Sequence, residues 1–551
     1  MKNKLYTLKD DFTNLKISNK ILIFVFSLIF SFFNIFGSVY KDGYLRLRDF
    51  NLPLTIFLFF ILLLISFIVF TTLSIYILKV NLKKVDSENK KDLINNNLNS
   101  TKKVFLFSYL IIFFFWLLVL LAYYPGIFAY DSTVQIYQMK YGFSVHHPLL
   151  HSLLLCGFYL FGVNVLGNAN LGIFLFSFLQ MLFLDFCLSY MNLFLYKINI
   201  KKSIIKFLII FEAIMPIYSV LSVSITKDIP FTAFMVLFAT CLLENIYLSE
   251  DSKKLSHKIL LVFSIIGFVL FRSQSTYILI VFILINILFL RKNIFIKNVN
   301  KYIIIGLIMS ISINSGLKYA TNAIPVKFTE YFNLPIQGMA RVFKLKENKL
   351  DNKTIEEYYT LSRNPKLYTP FLADTAKYLV NLDFDLFKNL YFKTLKKFPY
   401  THLEAYIVTN VGYVYMNDIS ESQIYGKPSQ RDYRSDKGYF TTEQQGGTEV
   451  TSDSKIKPLE FLYEYLFTRN NYRNIPILHY LFQFALYFYL FFFSFMICIM
   501  KNKKELLPIY ILVILYIGTM LLGPCALVRY AFSYIAITIP LFFITMTNNI
   551  E

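Results

Sequence analysis

A carboxylate and three histidines follow an apolar run of membrane-spanning length, 104–124. The stretch YYPGIFAYDSTVQIYQ carries Asp131, and HHPLLHSLLL soon after it carries His146, His147 and His151. A carboxylate at the end of a membrane helix can deprotonate an acceptor hydroxyl as a general base, or it can bind a divalent cation. Asp131 can also be the N-cap of the helix that the following residues predict.

The histidines have two alternative roles. His147 and His151 are four residues apart, which predicts that they share one helix face and could bind zinc, but HExxH and a third ligand are missing. The group can instead be a polar helix start with Pro148 in its first turn. We favour a role in which His146 and His147 hydrogen-bond to a sugar or phosphate. We therefore expect no resident metal site, although a divalent cation remains an open possibility.

Three further polar positions interrupt apolar sequence. Lys227 and Asp228 begin KDIPF between two apolar runs, Arg272 stands in FRSQSTY, and Arg529 stands in GPCALVRY. Arginine and lysine bind phosphate oxygens, arginine in a bidentate manner. The structural alternative for each residue is an ion pair or a side chain that reaches the membrane interface.

The composition is that of an all-α polytopic membrane protein. The 551 residues are 56% hydrophobic and 19% aromatic, with a mean hydropathy of +0.52, whereas soluble domains have roughly 45–50% apolar residues. The richness in Ile, Asn, Lys, Phe and Tyr is typical of an AT-rich bacterial genome. By the ~20-residue criterion, about twelve spans are predicted, at 20–40, 52–79, 104–124, 171–196, 204–222, 228–248, 258–271, 274–291, 302–319, 475–499, 507–522 and 527–547.

The net charge of +21 is explained by membrane topology. Most Lys and Arg residues lie in short loops, which is the positive-inside pattern, so we expect contact with anionic membrane lipids and no nucleic-acid partner. Both termini are then cytoplasmic. The later basic loops are all cytoplasmic only if 148–163 does not cross, so this segment is predicted to lie as a juxtamembrane or re-entrant helix at the outer face. The candidate residues then share the extracytoplasmic side.

Four segments are predicted. Residues 1–103 contain a cytoplasmic tail, two extra spans and a basic loop, and 104–319 form a transmembrane module with a first outer loop at 124–170. Residues 320–474 are too long for a simple connection. We expect amphipathic helices there, followed by an irregular polar part, in a large extracytoplasmic loop domain. Residues 475–551 contain three more spans.

Two carboxylates within predicted spans support a different class of protein. Asp185 and Glu212, which can instead be buried helix–helix hydrogen bonds, are the only sequence support for a proton-coupled transporter, such as a flippase of lipid-linked glycans. A non-enzymatic scaffold that presents 320–474 to a partner is a third interpretation. The five cysteines are scattered and predict no disulfide framework.

The order of these motifs resembles the GT-C superfamily of membrane glycosyltransferases. The motifs are YPG, YDS, HHPLLH, KDIPF, FRSQSTY and GP with RY, and HHPLLHSLL is similar to the HPPL-type segment of protein mannosyltransferases and aminoarabinose transferases. LPIQGMARV, which contains Arg341, resembles an uncharacterised bacterial family thought to belong to that superfamily. The resemblance covers roughly 104–345 well, and 380–415 and 520–545 more loosely.

The resemblance implies a GT-C-like helical bundle and a polyprenyl-phosphate-linked sugar donor in the outer leaflet. Asp131 would act on the acceptor hydroxyl of a glycan, lipid or protein, and His146 and His147 would position the substrates. Cations would neutralise the phosphate leaving group; the candidates are Lys227, Arg272, Arg341 and Arg529, with Asp228 beside them. Many GT-C enzymes have a DE or DxD pair in the first loop, but Ser132 follows Asp131 here, which puts metal dependence in doubt.

Overall fold

In a computed structural model the protein is built from α-helices, with no strand among the described residues and only two isolated β-bridges. The structure describes residues 10–40, 43–45, 51–80, 82, 93–128, 130–289, 294–362, 365, 367–377, 383–417, 449–463, 465–466 and 471–547. Most of the segment predicted to be irregular and polar, 420–450, lies outside the described residues.

Within this part of the chain, seven helices are long and apolar enough to cross a membrane, so the protein is a polytopic membrane protein. These seven spans are Ile17–Val39 (α1), Leu52–Lys79 (α2), Ser100–Ala122 in the helix Leu93–Ala122 (α3), Ala169–Lys197 (α6), Asp228–Tyr247 (α9), Val299–Thr321 in the helix Ile294–Thr321 (α12) and Val528–Thr545 (α19). A bent pair, Lys202–Ile214 (α7) and Pro216–Ser222 (α8), gives up to eight.

Several shorter helices complete the apolar part. They are Tyr130–Tyr141 (α4), Leu149–Asn164 (α5), Leu255–Leu270 (α10), Ser275–Phe289 (α11), Phe484–Met500 (α17) and Leu507–Met520 (α18). The expectation of about twelve spans stays a prediction, because these helices fall short of the length that a perpendicular crossing needs. One predicted span, 204–222, is broken by 52° before Pro216, where proline cannot continue the hydrogen-bond ladder.

The segment between α12 and α17 folds around a hydrophobic cluster of its own. Its longer helices are Asn333–Lys346 (α13), Asn352–Leu361 (α14), Phe384–Lys397 (α15) and Pro399–Asn410 (α16). It also contains short helices at Phe328–Tyr331, Asp374–Lys377, Lys457–Tyr463 and Pro476–Leu481, and another short helix, Ser249–Ser252, lies between α9 and α10. The side of the membrane on which this segment lies stays a prediction.

Helix α9 is the centre of the bundle. It packs against α6, α10 and α19, and nearly all of its residues are buried. Helix α2 is the opposite case: it is apolar all round but only a small part of it is buried, which is typical of a surface that faces lipid. Asp228 begins α9, so the centre of the bundle also positions a candidate site residue.

Two helix starts differ from expectation. Helix α3 begins at Leu93, inside the segment predicted as a cytoplasmic loop before 104. Helix α5 begins at Leu149, so the prediction that His147 and His151 share a helix face is wrong. Pro148 has an extended ψ of 120° and holds His147 outside the helix. Helix α5 then packs closely on α6, where a Cβ at Gly162 would lie 2.8 Å from the Cα of Gly172.

Candidate functional site

Backbone pairing brings the first loop to the segment that precedes α9. The amide of Ile127 donates to the carbonyl of Val223 at 2.9 Å, and the amide of Ile225 donates back to Ile127 at 2.9 Å. The hydroxyl of Ser132 donates to the carbonyl of Ile225. These bonds place the first turn of α4, which contains Asp131, beside Lys227.

A chain of alternating charges joins three helix starts and one helix break. Arg529, in the first turn of α19, donates to the Asp131 carboxylate at 2.7 Å. Its Nε lies 3.7 Å from Asp228 Oδ2, at the start of α9. The other oxygen of Asp228 accepts from Arg272 at 3.1 Å, in the break between α10 and α11. Four predicted site residues, Asp131, Arg529, Asp228 and Arg272, therefore form one contiguous cluster.

Three aromatic rings surround the Arg272 guanidinium. Its central carbon lies 5.2 Å from the ring centre of Phe231, 5.1 Å from Tyr516 and 5.5 Å from Tyr530, within the range of cation–π attraction. The Tyr516 hydroxyl accepts from Arg272 at 3.3 Å and donates to the Tyr530 carbonyl at 2.5 Å. Within the described part of the chain, Arg272 Nε is buried without a hydrogen-bond partner, so this guanidinium keeps an unsatisfied donor.

Lys227 and the histidines continue the cluster. Lys227 Nζ lies 3.3 Å from His147 Nδ1. His146 Nδ1 lies 3.6 Å from the carboxylate of Glu330, which also pairs with Lys377 at 2.6 Å. Glu330 and Lys377 both belong to the segment between α12 and α17, so the contact with Glu330 links His146 to that segment.

The charges of the cluster shift its ionisation. Burial alone would raise the pKa of Asp131, but the positive charge of Arg529, aided by Lys227, outweighs burial and holds that pKa well below its ordinary value. Burial lowers the pKa of Lys227, which Asp131 and Asp228 partly offset. Burial and the adjacent Lys227 hold the pKa of His147 well below its ordinary range. At neutral pH, Asp131 is therefore a carboxylate and His147 is uncharged.

His151 has a separate, buried position. Gln135 of α4 lies 3.0 Å from His151 Nδ1 and donates to Ser152 at 2.9 Å. Burial lowers the pKa of His151 to about 3. Its contacts join α4 to α5, so it supports the helix that carries Asp131.

Arg341 is the predicted site residue whose contacts lie elsewhere. It donates to Glu404 at 2.9 Å, to the carbonyl of Gly43 at 2.9 Å and to the hydroxyl of Tyr368 at 2.9 Å. These partners belong to α16, the loop after α1 and the segment after α14. The structure therefore assigns Arg341 to the packing of the N-terminal helices against the segment between α12 and α17.

Several side chains of the cluster could not be identified as candidates from the sequence. Glu330 and Lys377 lie in an amphipathic region, and Tyr516 lies inside an apolar helix, so nothing in their neighbourhoods marks them. Tyr530 could have been found, because it directly follows Arg529 in the motif GPCALVRY. Among the described residues, the histidines of the cluster form no group of three metal-binding donors.

Comparison with known protein families assigns the chain to one of them. Residues 142–551 match the model of a family of unknown function (DUF6020), and the chain belongs to that family. The match includes Lys227, Asp228, Arg272 and Arg529 and begins after Asp131. No curated protein and no solved structure matches the chain.

Proposed function

We propose that this protein is a membrane glycosyltransferase that moves a sugar from a polyprenyl-phosphate donor to a glycan, lipid or protein of the cell envelope. One observation carries the proposal: Asp131 lies in one hydrogen-bonded cluster with Arg529, beside Lys227 and near Arg272. A transferase of this class needs a carboxylate for the acceptor and cations for the departing phosphate. The motif order that resembles the GT-C superfamily supports the same class.

The reaction assigns each group a task. Asp131 takes the proton of an acceptor hydroxyl while the hydroxyl oxygen attacks the anomeric carbon. The bond from that carbon to the phosphate oxygen breaks, and polyprenyl phosphate leaves with the electron pair. Arg529, Arg272 and Lys227 stabilise the charge that develops on the phosphate, because fixed cations in a site sheltered from water need no reorganisation during the reaction.

The histidines and the neighbouring segment have supporting tasks in this proposal. Uncharged His147 donates or accepts a hydrogen bond to a sugar hydroxyl, and His146 shares this role beside Glu330. The segment between α12 and α17 covers the site and contributes to acceptor choice. The positive-inside charge pattern supports a site on the extracytoplasmic side of the bacterial cell membrane, with both termini cytoplasmic.

Replacement of one carboxylate tests the proposal. Wild type and Asp131→Asn are expressed in a strain that lacks the chromosomal copy, and the cell-envelope glycans are compared by mass spectrometry. We expect wild type to restore a sugar that the deletion removes. We expect the variant to reach the same membrane abundance and to restore none, because an amide cannot accept the proton.

A matched control is Asp385→Asn, since this carboxylate is exposed in the first turn of α15 and away from the cluster. It should restore the sugar fully. Full restoration by Asp131→Asn would remove Asp131 from the mechanism, and an unchanged glycan profile in the deletion strain would refute the transferase proposal.

A polar chain inside the bundle keeps the transporter as a second candidate. Ser189 Oγ lies 3.1 Å from Asp185 Oδ1 and 3.1 Å from Ser108 Oγ, so its single proton is shared between two neighbours, and Ser108 accepts from Asn192 at 3.2 Å. Asn192 also donates to Glu212 at 2.6 Å. A continuous polar path between two intramembrane carboxylates is what proton coupling would need.

Separate substitutions discriminate the two classes. If the chain is a transferase, Asp185→Asn and Glu212→Gln should retain sugar transfer in proportion to their membrane abundance. If it is a flippase, these variants should abolish the glycan change while Asp131→Asn retains it.

A further inference from the structure

Three metal-binding side chains of different types meet at the end of α9 opposite to Asp228. Cys241 and Glu244 are three residues apart on α9 and so project from one face, and His257 comes from the first turn of α10. One donor atom of each lies within 4.8 Å of the others. The 16 residues from Asp228 to Glu244 separate this group from the Asp131 cluster by about 24 Å along the helix axis.

The group is buried. The exposed fractions of Cys241, Glu244 and His257 are 0%, 1% and 7%. His257 Nε2 lies 3.2 Å from Glu244 Oε2, yet neither ring nitrogen makes a hydrogen bond to any residue that the structure describes. A buried imidazole normally satisfies at least one nitrogen, so the ring is placed near its neighbours without the alignment that a hydrogen bond requires.

The spacing of these donors fits a metal ion. With ligand bonds of about 2.0–2.1 Å to nitrogen and oxygen in a tetrahedral site, the two atoms lie about 3.3 Å apart, and the Glu244–His257 distance is 3.2 Å. The Cys241 sulfur lies within 4.8 Å of the other two donor atoms, so a movement of at most about 1.3 Å brings it to the spacing of about 3.5 Å that a tetrahedral shell requires.

The groups around Glu244 are of the kind that hydrogen-bond to metal ligands in known sites. The Tyr190 hydroxyl donates to Glu244 Oε2 at 2.7 Å, the kind of bond that orients a metal-binding carboxylate. Lys197 Nζ lies 3.8 Å from Glu244 Oε1 and 3.5 Å from Asp251. The lysine therefore has a second carboxylate partner and lies on the side of Glu244 away from His257.

We propose that Cys241, Glu244 and His257 bind a zinc-class divalent ion that joins α9 to α10. Thiolate, imidazole and carboxylate are the ligands that Zn²⁺ prefers, and water supplies the fourth position. Binding displaces the thiol proton to solvent, after which the thiolate and the carboxylate neutralise the two charges of the ion. The site is independent of the proposed transferase activity.

Cobalt is the probe, because Co²⁺ replaces Zn²⁺ and reports sulfur ligation through a charge-transfer band. Full-length protein in detergent is treated with chelator and titrated with Co²⁺. We expect about one ion per chain and a sulfur-to-cobalt band. We expect Cys241→Ser to lose the band and His257→Gln to weaken binding by more than about 100-fold, since even an outer-shell partner contributes 10–100-fold.

Cys156→Ser is the matched control, since Cys156 is also buried but lies on α5 and donates to the carbonyl of Gln135. It should keep the band. Size-exclusion profiles that match wild type show that a variant has folded. Absence of cobalt binding in folded wild type, or an unchanged band in Cys241→Ser, would overturn the proposal and leave an ion pair between Glu244 and His257.

Discussion

Two arginines that are both predicted to bind the donor phosphate differ in how many of their nitrogens make hydrogen bonds. Arg341 makes three hydrogen bonds of 2.9 Å to Glu404, Gly43 and Tyr368. Arg272 binds Asp228 and Tyr516 through the same terminal nitrogen, and its buried Nε makes no hydrogen bond with the described residues. Both lie against aromatic rings, so burial alone does not separate them.

The difference separates a structural arginine from one that can bind a ligand. The hydrogen bonds of Arg341 join α13 to the loop after α1, to the segment after α14 and to α16, and they use two of its three nitrogens. Arg272 keeps an unused donor beside a second arginine, Arg529. The two roles are therefore distinguished by how many nitrogens of each arginine make hydrogen bonds, and this depends on the folded structure.

The largest expected effect is on the satisfied arginine. Arg341→Met should lower the free energy of unfolding by about 3–5 kcal/mol, because it breaks a buried ion pair and leaves Glu404 with less compensation. Thermal unfolding in detergent and membrane abundance measure this effect. A variant as stable as wild type would show that the three hydrogen bonds contribute little, and the contrast with Arg272 would lose its basis.

The next largest effect is expected for Arg272→Lys, and it concerns activity and not stability. The substitution keeps the charge and loses the planar guanidinium, so sugar transfer per folded chain should fall about 100-fold, or ~2.7 kcal/mol. The measurement is the amount of modified glycan divided by membrane abundance.

The matched control is Arg341→Lys, which should lower abundance while transfer per folded chain stays the same. If both lysine variants lose transfer equally at equal abundance, the two arginines do not differ in role.

The smallest expected effect is on the pH dependence of the stability, to which a buried histidine in each of the two regions contributes. Burial lowers the pKa of His151 near the cluster to about 3 and that of His402 near Arg341 to about 4. The unfolded chain, with a histidine pKa of about 6.5, therefore binds protons first as the pH falls. Stability from each histidine is complete above pH 6.5 and should fall by about 2 kcal/mol at pH 5.

His151→Gln and His402→Gln should each remove a similar part of the decrease in unfolding temperature between pH 7.5 and pH 5. If one variant removed the whole decrease, acid would act on one region only.

The sequence predicts the helical spans well because an apolar run of about 20 residues has few alternatives in a membrane. The predicted runs 52–79 and 228–248 correspond closely to α2 and α9. Run length does not predict the break before Pro216, or the start of α17 at Phe484 within the predicted span 475–499, since both depend on local backbone geometry.

The candidate site was predictable where charges interrupt apolar sequence. Asp131, Asp228, Arg272 and Arg529 have this signal, and the structure brings them together. Glu330 and Lys377 lack it because polar residues are ordinary in their segment. Arg341 is a candidate only through the family resemblance of LPIQGMARV, and its contact with Glu404 is evident only in the folded structure. Whether the cluster acts on a substrate stays a prediction.

Arg529 lies between two carboxylates, 2.7 Å from Asp131 and 3.7 Å from Asp228. If the protein is the transferase that we propose, a donor phosphate that competes for this guanidinium would withdraw positive charge from Asp131, and the pKa of Asp131 would rise towards that of a useful base. Donor and acceptor would then enter in a compulsory order. The acceptor would meet an activated carboxylate only after the donor is seated, and an empty enzyme would be inert towards hydroxyl groups.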